Sequence, residues 1–212
     1  MKRATLRLSR AALCLAGLWA AGPAPAQTAP PAGPSADPTQ VRPGRYVLDP
    51  AHGTITWSLS HFGFSVFYGQ FTAVAATLTL DPKAPAASRL SAEVALSDIG
   101  GVGEALDQRL REPDFFDTAR FPKATFASTQ VEPTGPTTAR VTGDLTLKGV
   151  TKPVVLDVTF TLAGPHPLDQ RYTVGFEGRT VLKRSEFGVS AYAPQLGDEV
   201  TLRLAGEFKA EP

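Results

Sequence analysis

From Arg45 onward, apolar residues recur at every second position, and a period of two leaves a chain few folds to choose from. The run "TITWSLSH" puts Ile55, Trp57, Leu59 and His61 on one face and Thr54, Thr56, Ser58 and Ser60 on the other. "RLSAEVAL" sets Leu90, Ala92, Val94 and Leu96 against Ser91, Glu93 and Ala95. "VTGDLTL" (Val141, Leu145, Leu147) and "VVLDVTFTL" (Val154, Leu156, Val158, Phe160, Leu162) repeat the pattern. So does "EVTLRLAGEF", with Val200, Leu202, Leu204 and Phe208. Threonines and charges fill the opposite parity, which marks half-buried antiparallel strands. Breaks rich in Pro, Gly and Asp separate the runs, at 80–88, 132–139, 147–153 and 163–170.

One segment departs from this period. Glu104 to Leu110 can form a short helix ended by Pro113, with Leu106 and Leu110 sharing a face. Roughly eight strands with no long helices between them predict an all-β, up-and-down antiparallel barrel, the short helix capping one end. At that size the interior is either filled by side chains or holds one ligand. The apolar parity changes between Phe71 and Val74, which predicts a bulge near Thr72 or Ala73.

The beginning of the chain reads differently. Lys2, Arg3, Arg7 and Arg10 precede an apolar run from Ala11 to Ala21, and "APAQ" offers a cleavage site after Ala26. Residues 1–26 are therefore expected to be a secretory signal peptide. Residues 27–43 carry five prolines and little to bury, and read as a flexible linker. The barrel is expected over 44–212. Four of the 21 basic residues lie in 1–26 and none of the 20 acidic ones, which leaves a formal charge of −3. The single cysteine, Cys14, also lies there. An exported chain without cysteine has no disulfide, thiolate metal site or cysteine nucleophile, and its place is periplasmic or extracellular. A mildly acidic surface without a basic run argues against nucleic acid.

The stretch "SLSHFGFSVFYGQF" (58–71) concentrates five aromatics around one histidine. Both parities are apolar here, so a half-buried strand cannot hide them all. The segment must cover an opening, or meet a partner or a lipid. His61 points inward with Trp57 and Leu59, where a polar group needs a partner. A structural tie and a donor to a ligand head group both fit; catalysis is the third reading. Nothing nearby supports a catalytic or metal site. His52, His61 and His166 show no ligand spacing, no G-x-S-x-G occurs, and adjacent Ser60 and His61 face opposite ways. A membrane-spanning barrel would need its charged face turned inward and aromatic girdles at the strand ends, and the girdles are not evident.

Four blocks together resemble the YceI family: "SHFGFSVFYGQF", "LREPDFFDTARFPKATF", "VTGDLTLKGVTKPV" and "FEGRTVLKRSEFGV". The resemblance runs from Tyr46 to Phe208. It implies an eight-stranded antiparallel lipocalin-like barrel with a helix near one end. It also implies an apolar tunnel for a long isoprenoid lipid, such as an isoprenoid quinone or polyprenyl phosphate, and no cofactor or metal. The protein would then be an exported carrier that performs no chemistry. Transient membrane contact fits that role, and members can dimerise. The expected tunnel residues are Trp57, Leu59, His61, Phe64, Phe67, Tyr68, Phe71, Leu145, Phe126, Phe160 and Phe176, with Phe115 and Phe116 as a lid. Two rivals are a ligand-free stress-response or interaction module with a solid core, and a lipid-modifying enzyme with His61 as base.

Overall fold

A computed structural model describes residues 33–101 and 103–211. The expected signal peptide and the start of the linker lie outside them. Nine strand segments follow one another as β1 (Gly44–His61), β2 (Ser65–Phe71), β3 (Val74–Leu80), β4 (Arg89–Ala95), β5 (Lys123–Pro133), β6 (Thr138–Leu147), β7 (Val150–Pro165), β8 (Tyr172–Lys183) and β9 (Glu199–Ala210). From β3 to β9 each strand pairs antiparallel with the next, β2 and β3 both pair with β1, and β9 returns to pair with β1, which closes the sheet. The long β1 pairs with β3 along its first half and with β2 along its second. β2 and β3 are thus two halves of one wall, and the barrel has eight strands, as the alternation predicts. Helix α1 (Glu104–Leu110) lies in the connection from β4 to β5.

The parity change between Phe71 and Val74 is a joint between those halves. Asp98 holds it, accepting hydrogen bonds from Thr72 N (2.6 Å), Thr72 Oγ1 (2.9 Å) and Ala73 N (2.6 Å). Burial opposes ionisation of Asp98, but these bonds outweigh it and hold the carboxyl below its usual range. A second irregularity lies in β1 between Leu48 and Gly53, where Asp49–His52 bow outward. Asp49 there takes a 2.7 Å ion pair from Lys209 on β9, and Lys209 also reaches Asp169 in the β7–β8 loop at 2.6 Å. A third, between Phe160 and Leu162, breaks the alternation of β7. Leu162, assigned inward by parity, is consequently exposed, and Ala163 is buried instead. The tight turns match their sequences: Lys148 (φ 50°) and Gly149 (φ 76°) join β6 to β7 in the two-residue hairpin geometry.

Residues 33–43 correct the linker reading. Their proline content does not prevent docking, and Pro38–Gln40 form a short 3-10 turn capped by Asp37. Ser35 exchanges backbone hydrogen bonds with Ala163 at 2.7 and 2.9 Å, and Val41 is 4% exposed in the core. The Arg42 guanidinium lies 4.3 Å over the Tyr172 ring. Tyr46, 1% exposed, donates its hydroxyl hydrogen bond to the Arg42 carbonyl. The segment is part of the barrel's wall at that end.

The interior divides along the barrel into two apolar clusters. One is built on Tyr46, Leu48, Leu78, Phe160, Val174 and Phe208. The other is built on Trp57, Phe71, Leu96, Ile99, Phe115 and Phe187. Several inward apolar residues on the parity face, among them Leu59, Val94, Leu145 and Leu202, are only half-buried. They face space inside the barrel that no side chain fills.

Candidate functional site

That space forms two chambers in series. Chamber 1, about 370 Å³, is lined by Leu48, Ala76, Leu78, Leu90, Val141, Leu156, Phe160, Phe176, Leu204 and Phe208, among others. Chamber 2, about 400 Å³, is lined by Trp57, Leu59, His61, Phe67, Phe71, Leu145, Leu202 and their neighbours. The order of lining residues along β1 shows the stacking: Leu48 and Thr54 in chamber 1, Ile55 in both, then Trp57, Leu59 and His61 in chamber 2. Small side chains at Ala76, Ala92 and Gly206 keep chamber 1 open. Pro38, Thr39 and Val41 of the docked N-terminal segment stand in its wall, beside Pro82 and Pro85 of the β3–β4 loop and Gly135 and Pro136 of the β5–β6 loop.

Chamber 2 is covered by two loop regions. From the β4–β5 connection come Leu106 and Leu110 on one face of α1, then Phe115 and Phe116. Phe116 packs edge-on to Phe71, with ring centroids 6.1 Å apart. From the β8–β9 connection come Arg184, Val189, Tyr192 and Leu196. Arg184 is 4% exposed and donates to the carbonyls of Gly197 (2.9 Å), Val189 (2.8 Å) and Leu196 (2.7 Å). Burial pushes its guanidinium down from the ordinary arginine range. Its donors are spent on folding that loop over the barrel, which leaves it structural.

The polar groups of chamber 2 gather at its mouth. Arg109, on α1, pairs bidentately with Asp114, lies 4.8 Å over the Phe115 ring, and reaches the Tyr192 hydroxyl at 3.5 Å. The Asp114 hydrogen bonds hold that guanidinium above its usual range and the Asp114 carboxyl below its own. His61 is held by aromatic contact. It stacks on Phe67 at 4.6 Å and meets Phe62 edge-on at 4.7 Å. No side-chain hydrogen bond to His61 occurs among the described residues, so the polar tie that the sequence allowed is not made. Deeper in, the Trp57 indole N–H is buried with no hydrogen-bond partner among the described residues. Chamber 2 therefore presents unspent donors and no lining carboxylate.

The sequence-predicted site residues divide as follows. Trp57, Leu59, His61, Phe67, Phe71, Phe115, Phe116 and Leu145 line chamber 2, and Phe160 and Phe176 line chamber 1. Phe126 is buried, but its ring lies across Gly143 and lines neither chamber. Phe64 and Tyr68 are corrected: they are 93% and 64% exposed on the outside. The register explains it. His61 pairs with Ser65 and Leu59 with Phe67, so the inward parity of β2 is Ser65, Phe67, Gly69 and Phe71. Arg109, Tyr192, Phe62 and Ile55 were missed. Arg109 sits on helix α1 and Tyr192 in the β8–β9 loop, where an alternation of two carries no signal.

A closed antiparallel barrel with an apolar interior and polar groups at one mouth defines a lipocalin-like binding protein. The YceI-like domain family model matches residues 46–208, and the chain belongs to that family. A "UPF0312 protein" of Pseudomonas savastanoi pv. phaseolicola is 36% identical over 157 residues, 73% of this chain and 81% of that one. One from Azotobacter vinelandii is 35% identical over 170 residues, 79% of this chain and 88% of its own. Among solved structures, Burkholderia cenocepacia BcnA aligns with a TM-score of 0.68 at 25% identity, over 76% of this chain and 98% of BcnA. A polyisoprenoid binding domain from Saccharophagus degradans aligns at 0.60 with 13% identity, over 80% of this chain and all of that one, a likeness of fold.

Among the described residues no group of three or more His, Cys, Asp or Glu gathers in a metal-holding arrangement.

Proposed function

We propose that this protein binds a long-chain isoprenoid lipid, an isoprenoid quinone or polyprenyl phosphate, through both chambers. It carries or sequesters that lipid in an exported compartment and performs no chemistry on it. The observation that carries this reading is the unfilled, apolar, two-chamber interior, of about 370 and 400 Å³, with Ile55 in the walls of both chambers. A solid-core module would have filled it. An apolar cavity of ~150 Å³ takes a benzene ring, so the two chambers together hold roughly thirty carbons. Each methylene moved from water into such walls gains about 0.8 kcal/mol, enough for tight binding without many polar contacts. The head group sits at the mouth of chamber 2, beside Arg109, Tyr192 and His61. The chain runs past Ile55 into chamber 1. A fold shared with a polyisoprenoid binding domain is consistent with this.

The enzymatic alternative lacks support. His61 is clamped between two phenylalanines and has no carboxylate or hydroxyl partner among the described residues.

Native mass spectrometry of the exported protein, followed by organic extraction, tests the reading. An adduct near one-to-one that extracts as a prenyl quinone or phosphate is expected. A polypeptide that stays bare after incubation with both lipid classes overturns it.

A further inference from the structure

From Pro50 to Leu80 the sequence contains no Asp, Glu, Lys or Arg, and this run includes the whole β1–β2 hairpin. The hairpin tip is a tight turn in which Phe64 N–H bonds to the His61 carbonyl at 3.0 Å. Phe62 there has φ 53°, a left-handed conformation that bulky residues avoid. The turn pushes large apolar side chains outward. Phe64 is 93% exposed, Tyr68 64%, Val66 53% and Phe62 45%, and across the mouth Tyr192 is 57% exposed. Phe62 and Tyr192 line chamber 2 as well. An apolar surface therefore continues from the outer tip over the rim into the chamber.

We infer that this tip is a bilayer-docking element. Phe62 and Phe64 sink into the membrane interface, Tyr68 and Tyr192 sit at head-group level, and chamber 2 faces the acyl region. The inference deepens the lipid-carrier reading and rests on it for its purpose. A cargo that dissolves in bilayers and not in water must pass directly between membrane and chamber, and this is the mouth that the exposed aromatic tip rims. A tip with large aromatics and no charge suits the interface, where aromatic rings are favoured and charges are costly. A second copy pairing along the β2 edge fits less well. Gly100 bridges Gln70, and Gly101 crowds the Tyr68 carbonyl. Only a short length of edge remains, which discourages strand pairing.

The test uses the exported chain and phosphatidylcholine vesicles at low and high salt, with Phe64→Asp and Tyr192→Asp variants. Loading with a polyprenol in detergent is measured separately by native mass. The wild type is expected to co-sediment with the vesicles to the same extent at both salt levels. Phe64→Asp should lower the bound fraction roughly tenfold or more while loading normally in detergent. Because Phe64 makes almost no internal contact, that loss does not arise from misfolding. Unchanged binding of both variants overturns the inference. So does binding that vanishes at high salt, or a wild-type dimer that Phe64→Asp dissociates. A wild type that binds vesicles but never loads lipid leaves the docking element standing and removes the carrier reading instead.

Discussion

Trp57 on β1 and Gly69 on β2 stand directly opposite each other, and the glycine lets the indole lie against the wall of chamber 2. A Cβ at position 69 would sit 2.1 Å from Trp57 Cζ2 and 2.7 Å from the Gly100 carbonyl oxygen. The backbone on that side cannot yield, so the ring must move. Gly69→Ala is expected to lower stability by about 2 kcal/mol, in the range for overpacked cores. It should also swing the indole into the chamber. A chain beginning at Gln27 has Trp57 as its only tryptophan, so the emission spectrum reports the movement directly. An unshifted spectrum with full stability would show that the wall accommodates the methyl group.

Ile55 belongs to the walls of both chambers, and a larger side chain there should divide the tunnel. Ile55→Trp is expected to retain short prenyl chains that fit chamber 2 and to weaken long ones at least tenfold. Exclusion of only two methylenes accounts for that factor. A competition series of increasing chain length, read by extraction and mass spectrometry, would reveal the cut-off. Equal retention at every length would mean that ligands do not pass Ile55.

Arg109 is the cation poised at the mouth of chamber 2, oriented by Asp114 and by two aromatic rings. Arg109→Leu keeps the apolar stem and removes the charge. Affinity for a polyprenyl phosphate should fall about tenfold to a hundredfold, the value of a charge-assisted hydrogen bond. Affinity for the corresponding neutral alcohol should hardly change. Parallel titrations with the two lipids separate a head-group contact from a packing role, which would weaken both alike.

Stability should fall at both ends of the pH scale, for opposite reasons. Lys209, the Ala51 N–H and His52 hold the Asp49 carboxyl far below the ordinary range, and Lys209 also lowers that of Asp169. A depressed folded pKa gives stability that is present above the unfolded value of about 4 and lost as pH falls below it. Burial pushes the Tyr46 hydroxyl up to about 12. A raised folded pKa gives stability that is complete below the unfolded value of about 10 and lost as pH rises beyond it. Denaturant midpoints across pH should therefore drop on both limbs. Asp49→Asn should flatten the acid limb and Tyr46→Phe the alkaline one; limbs unaltered by either change would assign the losses elsewhere.

The period of two carried most of this architecture. Strand identity, the inward set on β1, β4, β6 and β9, and the joint after Phe71 all follow from alternation, because a pleated strand has only two sides. Alternation fails where both parities are apolar. In β2 the pattern alone cannot choose between Phe67 and Tyr68, and the choice was made by the pairing of His61 with Ser65 across the turn. Arg109 and Tyr192 lie 83 positions apart, on helix α1 and in the β8–β9 loop, and only the tertiary fold brings them together at the mouth. The docking of residues 33–43 was hidden by composition, since proline reports on local conformation and is silent about what Val41 packs against. The chambers themselves arise from a shortfall of side-chain volume summed over the whole wall, a quantity that no local pattern encodes.

The joint at Thr72–Ala73 bears on how such a barrel can change. In an unbroken strand, a slip of one residue turns every side chain to the other face, so a change at the mouth would propagate along the wall to chamber 1. Here β2 takes its register from β1, and β3 takes its own from β1 and β4, with Asp98 pinning the seam. The rim and the vault are separately editable, and what this molecule admits can diversify while chamber 1 keeps its shape.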